Sequence, residues 1–167
     1  MNYIYQLCIA IVAGGFGAWV ATFFALRRFY SEKWWEKRAS AFIELTNSIY
    51  QIKVLQEYYS DLKEYERYGS GAFPIFTKLS GSKLEEMQSA ACVANELIIK
   101  YSEVGPLLIT ENALGLLRKY LQEEKKVEHD VHYNGLDTDE AEEQLLVMIQ
   151  ELFKKILKES KKELRAK

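Results

Sequence analysis

The stretch Ile4–Leu26, IYQLCIAIVAGGFGAWVATFFAL, contains no Asp, Glu, Lys, Arg or His. At about 1.5 Å per residue a helix of that length covers roughly 34 Å, enough for a hydrocarbon core of about 30 Å. Its only clearly polar side chains, Gln6 and Thr22, sit near the two ends. A helix buried in a soluble core is the competing reading. Such helices are rarely this long, and a chain of 167 residues has little room to enclose one. The sequence therefore predicts a transmembrane anchor over residues 1–27.

A cleaved signal peptide would place a basic stretch before a shorter apolar run and small residues at its end. Here only Met1, Asn2 and Tyr3 precede the run, and Arg27-Arg28 follow it. Beyond Leu26, Arg27, Arg28, Lys33, Lys37 and Arg38 outnumber Glu32 and Glu36. By the positive-inside rule the C-terminal part lies in the cytoplasm and the short N-terminus outside. The expected topology is a single-pass inner-membrane protein that keeps its helix.

Outside the apolar run lie all 22 basic and all 24 acidic residues, for a formal net charge of −2. That balance argues against a general nucleic-acid or polybasic lipid binder. Cys8 falls within the expected span and Cys92 on its cytoplasmic side, so the two are not expected to pair, and a reducing compartment fits.

No Pro or Gly occurs between Gly17 and Gly69, so the membrane helix is expected to run on into a cytoplasmic one. Trp35, Phe42, Leu45, Ile49, Ile52, Leu55, Tyr59 and Leu62 recur every three or four residues, an amphipathic pattern that ends at Tyr68 before Gly69-Ser70-Gly71. Residues 69–81 read as a loop, with Phe73, Ile75 and Phe76 folding back onto the core. Ser82-Lys83-Leu84-Glu85 is a capping-box sequence for the next helix. Leu84, Met87, Ala91, Ala94, Ile98 and Tyr101 form its buried face, and Gly105-Pro106 stops it. A third helix spans about 110–133, with Asn134-Gly135 as its C-terminal cap. Asp137-Thr138-Asp139-Glu140 opens a fourth, whose apolar stripe is Leu145, Ile149, Leu152, Phe153 and Ile156. The expected fold is all-α: an N-terminal transmembrane helix continuing into a cytoplasmic bundle of about four helices over residues 28–167.

Two ridges of small residues run along the apolar segment. Ala10, Gly14, Ala18 and Thr22 make one; Ala13, Gly17, Ala21 and Ala25 make the other, about 60° around the helix. Small residues four apart let helices approach closely in lipid, where packing drives association. Two adjacent ridges suit a ring, because each helix then meets a neighbour on both sides. Gln6 and Thr22 are the polar candidates for a pore lining. Arg27, Arg28, Tyr30, Trp34 and Trp35 form the expected interfacial belt, although Trp35 also fits the bundle core.

His129 and His132, three apart on one helix, are a weak metal candidate with Glu128 or Glu124. A usual zinc site needs a third protein ligand, and a di-metal bundle needs histidines on two helices. A solvated helix end is the plainer reading. No phosphate loop, dinucleotide turn or Gly-x-Ser-x-Gly elbow is present. Cys92, in an Ala-rich stretch, reads as a small packing residue. Neither enzyme activity nor a cofactor is expected.

The segment from Arg27 to Ala39, with its core Lys33-Trp34-Trp35-Glu36-Lys37, resembles the juxtamembrane segment of small bacterial single-pass membrane proteins. The overall layout looks like that of the membrane accessory proteins of an RNA-guided, RNA-cleaving CRISPR nuclease. That resemblance implies an oligomeric pore with a HEPN-like helical element. A HEPN ribonuclease carries an Arg four to six residues before a catalytic His; here Lys125 and Lys126 stand near that place before His129 and His132. Lysine lacks the guanidinium fork, so ribonuclease activity is expected to be absent even if the fold is HEPN-like.

The leading expectation is a membrane-anchored homo-oligomer, a pore or envelope-perturbing effector of antiviral defence in bacteria. Its expected partners are the lipid bilayer, further copies of itself and a cytoplasmic protein or ribonucleoprotein that signals to it. No direct sequence-specific nucleic-acid binding is expected. The alternative is a single-pass scaffold that tethers a cytoplasmic partner through its bundle; a degenerate or metal-dependent nuclease ranks third.

Overall fold

Long helices follow from the scarcity of breakers, and the computed structural model shows four long helices among its described residues. It describes the backbone of residues 2–69, 71 and 73–165, and the side chains of that set except those of 2 and 4–14. Helix α1 spans Asn2–Tyr68, α2 Gly81–Val104, α3 Glu111–Tyr133 and α4 Thr138–Arg165, with a 3₁₀ turn at Gly105–Leu107. The chain divides into two units, Met1–Arg38 and Ala39–Lys167. The protein is all-α, and its second unit is a four-helix bundle. Among the described residues no helix carries a stretch long and apolar enough to cross a membrane. The expected span over Ile4–Leu26 draws nearly half its length from residues 4–14, outside the described side chains.

In the second unit the helices run alternately up and down. Gln88 donates to the Tyr59 hydroxyl at 2.6 Å and Tyr101 to Glu44 at 2.5 Å, which sets α2 antiparallel to α1. Contacts of Thr46 with Ser160, Glu57 with Gln150 and Lys63 with Glu142 set α4 antiparallel to α1 as well. Phe42, Leu45 and Ile49 of α1, Ile98 of α2, Leu114 and Leu117 of α3, and Ile149 and Ile156 of α4 fill the core with almost no exposure. Fully burying such a side chain contributes about 1.5–3 kcal/mol, so the three- and four-residue spacing carries most of the stability.

The helix ends follow their sequence signals, with one exception. The Thr110 hydroxyl accepts the Ala113 amide at 3.2 Å and caps α3. Gly135, at φ 72°, turns the chain after α3, and Asp137 Oδ1 accepts the Asp139 amide at 2.8 Å to start α4. The capping box at Ser82–Glu85 does not form. Helix α2 starts at Gly81 with Ser80 at its N-cap, and Leu84 N–H bonds to the Ser80 carbonyl, so Ser82 lies inside the helix. The loop is also corrected in part. Phe76 packs on the rings of Tyr58 and Tyr65 at 5.7 and 5.2 Å, whereas Ile75 is 94% exposed. Pro74 and Ile75 form the turn, which carries Ile75 outward.

Candidate assembly face

In the first unit, helical geometry sorts the described residues by size. At about 100° per residue, Gly17, Ala18, Ala21, Thr22 and Ala25 share one side, bordered by exposed Phe24 seven residues on from Gly17, and Phe16, Trp19 and Phe23 lie roughly opposite. Ring centroids 6.3 Å apart for Phe16 and Trp19 and 6.0 Å for Trp19 and Phe23 make the opposite side a continuous aromatic ladder. Both sides are bare in the single chain: Phe16 is 66% and Trp19 65% exposed. The size sorting extends the small-residue ridges and was not drawn from the sequence, although the spacing of Phe16, Trp19 and Phe23 contained it.

The expected assembly residues thus fall into two groups. Gly17, Ala18, Ala21 and Ala25 lie together and exposed; Ala10, Ala13 and Gly14 lie outside the described side chains, as does Gln6. A Cβ added at Gly17 meets nothing within 4 Å. The Thr22 hydroxyl donates to the Ala18 carbonyl at 2.8 Å, so the helix itself satisfies this hydroxyl. Such a back-bonded threonine tolerates an apolar neighbour.

Beyond Leu26 the belt residues Arg27, Arg28, Tyr30, Trp34 and Trp35 are exposed. Arg28 pairs with Glu32 at 2.9 Å and Lys33 with Glu36 at 2.7 Å. These pairs cancel much of the acidic charge, leaving a local basic excess. Trp35, at 36% exposure, is not a core side chain.

The other sequence candidates disperse. His129 and His132 are exposed, and the His129 ring lies 4.7 Å from that of Tyr133. Glu124 is turned to Tyr120, whose hydroxyl donates to it at 3.1 Å. Burial raises the Glu124 carboxyl above its ordinary range and raises the Tyr120 hydroxyl as well. Among the described residues no three His, Cys, Asp or Glu side chains gather to hold a metal ion. Cys92 is exposed, so it is not the packing residue its Ala-rich surroundings suggest; Ala91 and Ala94 take the inward positions.

An open groove of about 620 Å³ lies between α1 and α4. On its wall Lys63 reaches Asp139 at 2.6 Å and Glu142 at 2.7 Å, and Arg67 reaches Asp139 at 3.2 Å. Hydrogen bonding from Lys63 is the first cause holding the Asp139 carboxyl below its ordinary range. These charges answer one another across the groove and form an inter-helix clasp. No family model, no curated protein and no solved structure matches the chain.

Proposed function

We propose that the chain is a membrane-anchored homo-oligomer whose N-terminal helices pack into a ring, and that the ring perturbs the envelope as a pore. One observation carries the reading: a charge-free apolar run whose described half has small residues on one side and an exposed aromatic ladder on the other. Without lipid, the ladder leaves large apolar surface in water, at a cost of about 25 cal/mol per Å². In a bilayer it faces acyl chains, while the small side admits neighbouring helices to close range. The basic excess after Leu26 orients the bundle to the cytoplasm. The Lys33–Lys37 segment resembles the juxtamembrane segment of small bacterial single-pass membrane proteins, and the resemblance of the overall layout to membrane accessory proteins of an RNA-targeting CRISPR system adds antiphage defence to this reading. In that setting a cytoplasmic ribonucleoprotein is the natural trigger.

Topology is tested with reporters fused after Lys167. A cytoplasm-specific reporter is expected to be active there and a periplasm-specific one silent; the opposite pattern reverses the orientation. Catalysis is tested on the purified protein. No RNA cleavage is expected with or without divalent metal, because no Arg stands four to six residues before His129 or His132. Cleavage that disappears in His132→Ala would make the bundle a nuclease.

A further inference from the structure

Helix α4 turns Ala141, Ile149, Leu152 and Ile156 into the core, which leaves one outward stripe on the opposite side. Charge on this stripe is sorted by sign. Glu140, Glu143 and Glu151 lie in the first part, and Lys154, Lys162 and Arg165 in the second, all exposed. The helix dipole accounts for acids in the first turn and bases in the last, because its influence fades within a turn. Glu151 and Lys154 stand far from both ends, and it is between them that the sign changes.

The sorting also works against an isolated helix. Glu followed by Lys four residues later is the favourable order, and like charges at that spacing repel. On this stripe only Glu151 follows the favourable order, pairing with Lys155 at 2.7 Å. Lys154, Lys158, Lys162 and Arg165 crowd together, and none of them makes an ion pair among the described residues.

A helix sorted in this way complements a second copy of itself running in the opposite direction. Glu140 then meets Arg165 of the second copy, Glu143 meets Lys162, and Glu151 meets Lys154. All three pairs are centred on the same point of α4, so one register satisfies them together, and the two-fold axis doubles them. Val147, half exposed, falls in that register against the aliphatic stem of Lys158. We propose that the outward stripe of α4 is a self-complementary docking surface for a second copy of this chain, paired antiparallel.

The stripe from Glu140 to Arg165 is about 38 Å long. At roughly 10 Å wide it offers about 400 Å² per copy, half of what a standard stable interface buries. The pair is therefore weak and salt-sensitive. It does not rest on the membrane reading. Because α4 is antiparallel to α1 within the bundle, paired bundles carry their Ala39 ends at opposite ends of the pair. A ring, in which all copies point the same way, is a different assembly.

The test uses the full chain in detergent, as a mixture of isotopically light and heavy copies. A zero-length carbodiimide reagent is expected to join Glu143 to Lys162 in light–heavy products. Within one helix those residues are about 28 Å apart, so the product reports a second copy. Two charge-reversed variants follow, Glu140→Lys with Glu143→Lys, and Lys162→Glu with Arg165→Glu, each checked for helicity. Each alone is expected to self-associate about tenfold more weakly, as is the parent on passing from low to high salt. An equimolar mixture of the two is expected to pair as the parent does, because one end of the pair then has its charges exchanged between the copies and the other end keeps its native contacts. Absence of the Glu143–Lys162 product, or failure of the mixture to pair, overturns the proposal. Binding to anionic vesicles or to RNA that depends on Lys162 and Arg165, without recovery in the mixture, would assign the basic half to those ligands instead.

Discussion

Gly17→Leu is expected to reduce the detergent-solubilised particle to its smallest unit and to abolish membrane depolarisation, with the bundle still folded. The substitution has no steric cost inside one copy, since a Cβ at Gly17 meets nothing within 4 Å. It also favours the helix itself by about 1 kcal/mol, because leucine forms helix better than glycine. The span becomes more apolar, so insertion is retained. What a leucine removes is the close approach of a neighbouring backbone, and in lipid no hydrophobic gain offsets that loss. Phe23→Leu, on the aromatic side, is the control and is expected to leave assembly intact. Gly14→Leu should act in the same direction as Gly17→Leu. Native mass and dye-reported potential are the two readouts, and they should fall together. Unchanged values of both would reduce the helix to an anchor and move the scaffold reading ahead of the pore.

Much of the bundle is legible in spacing alone. Phe42, Leu45, Ile49 and Ile52 are buried as their three- and four-residue recurrence requires, as are Ala91, Ala94, Ile98 and Tyr101. Periodicity works there because a helix in a two-layer core has one face to bury. It fails where burial depends on what arrives from elsewhere in the chain. Ser82–Glu85 has capping-box letters, yet the helix starts at Gly81, because local signals of similar strength at Ser80 and Ser82 compete within two residues. Cys92 lies about 150° around the helix from the stripe of Ala91, Ala94, Ile98 and Tyr101, so the same spacing turns it outward and its Ala-rich neighbourhood is no guide to burial. Of the candidate site, the small ridges and the basic flank are visible in the letters. The sign-sorted stripe of α4 is hidden by the near-neutral total, since nearly equal numbers of acids and bases carry no information about their order along one face.

Glu159→Ala is expected to lower the stability of the bundle by about 3 kcal/mol, the sum of two hydrogen bonds to a charged acceptor at roughly 1.5 kcal/mol each. The apolar stripe of α4 runs through Ile149, Leu152 and Ile156, and its next inward positions are polar: Glu159 and Ser160 are both buried. The sequence stripe stops at Ile156 for that reason, although a helical period continued one turn further would have reached them. Glu159 is buried because it has partners. Its Oε1 accepts the Thr110 hydroxyl at 2.9 Å and its Oε2 the Asn112 amide at 2.9 Å. Thr110 is the N-cap of α3, and its hydroxyl oxygen accepts the Ala113 amide while its hydrogen goes to Glu159. The carboxylate therefore fixes the rotation of the capping hydroxyl and places a negative charge at a helix N-terminus, where the dipole favours it. For a domain of this size about 3 kcal/mol corresponds to a fall in Tm of roughly 6–12 °C. Glu159→Gln keeps the shape and one acceptor but turns a donor toward a donor, so it should fall between the parent and Glu159→Ala. A cycle with Thr110→Val should show the two losses to be strongly non-additive, because both changes remove the same contact. Thermal unfolding followed by far-ultraviolet circular dichroism measures all of these. A shift below about 2 °C for Glu159→Ala would mean that α4 is held to α3 by its apolar stripe alone.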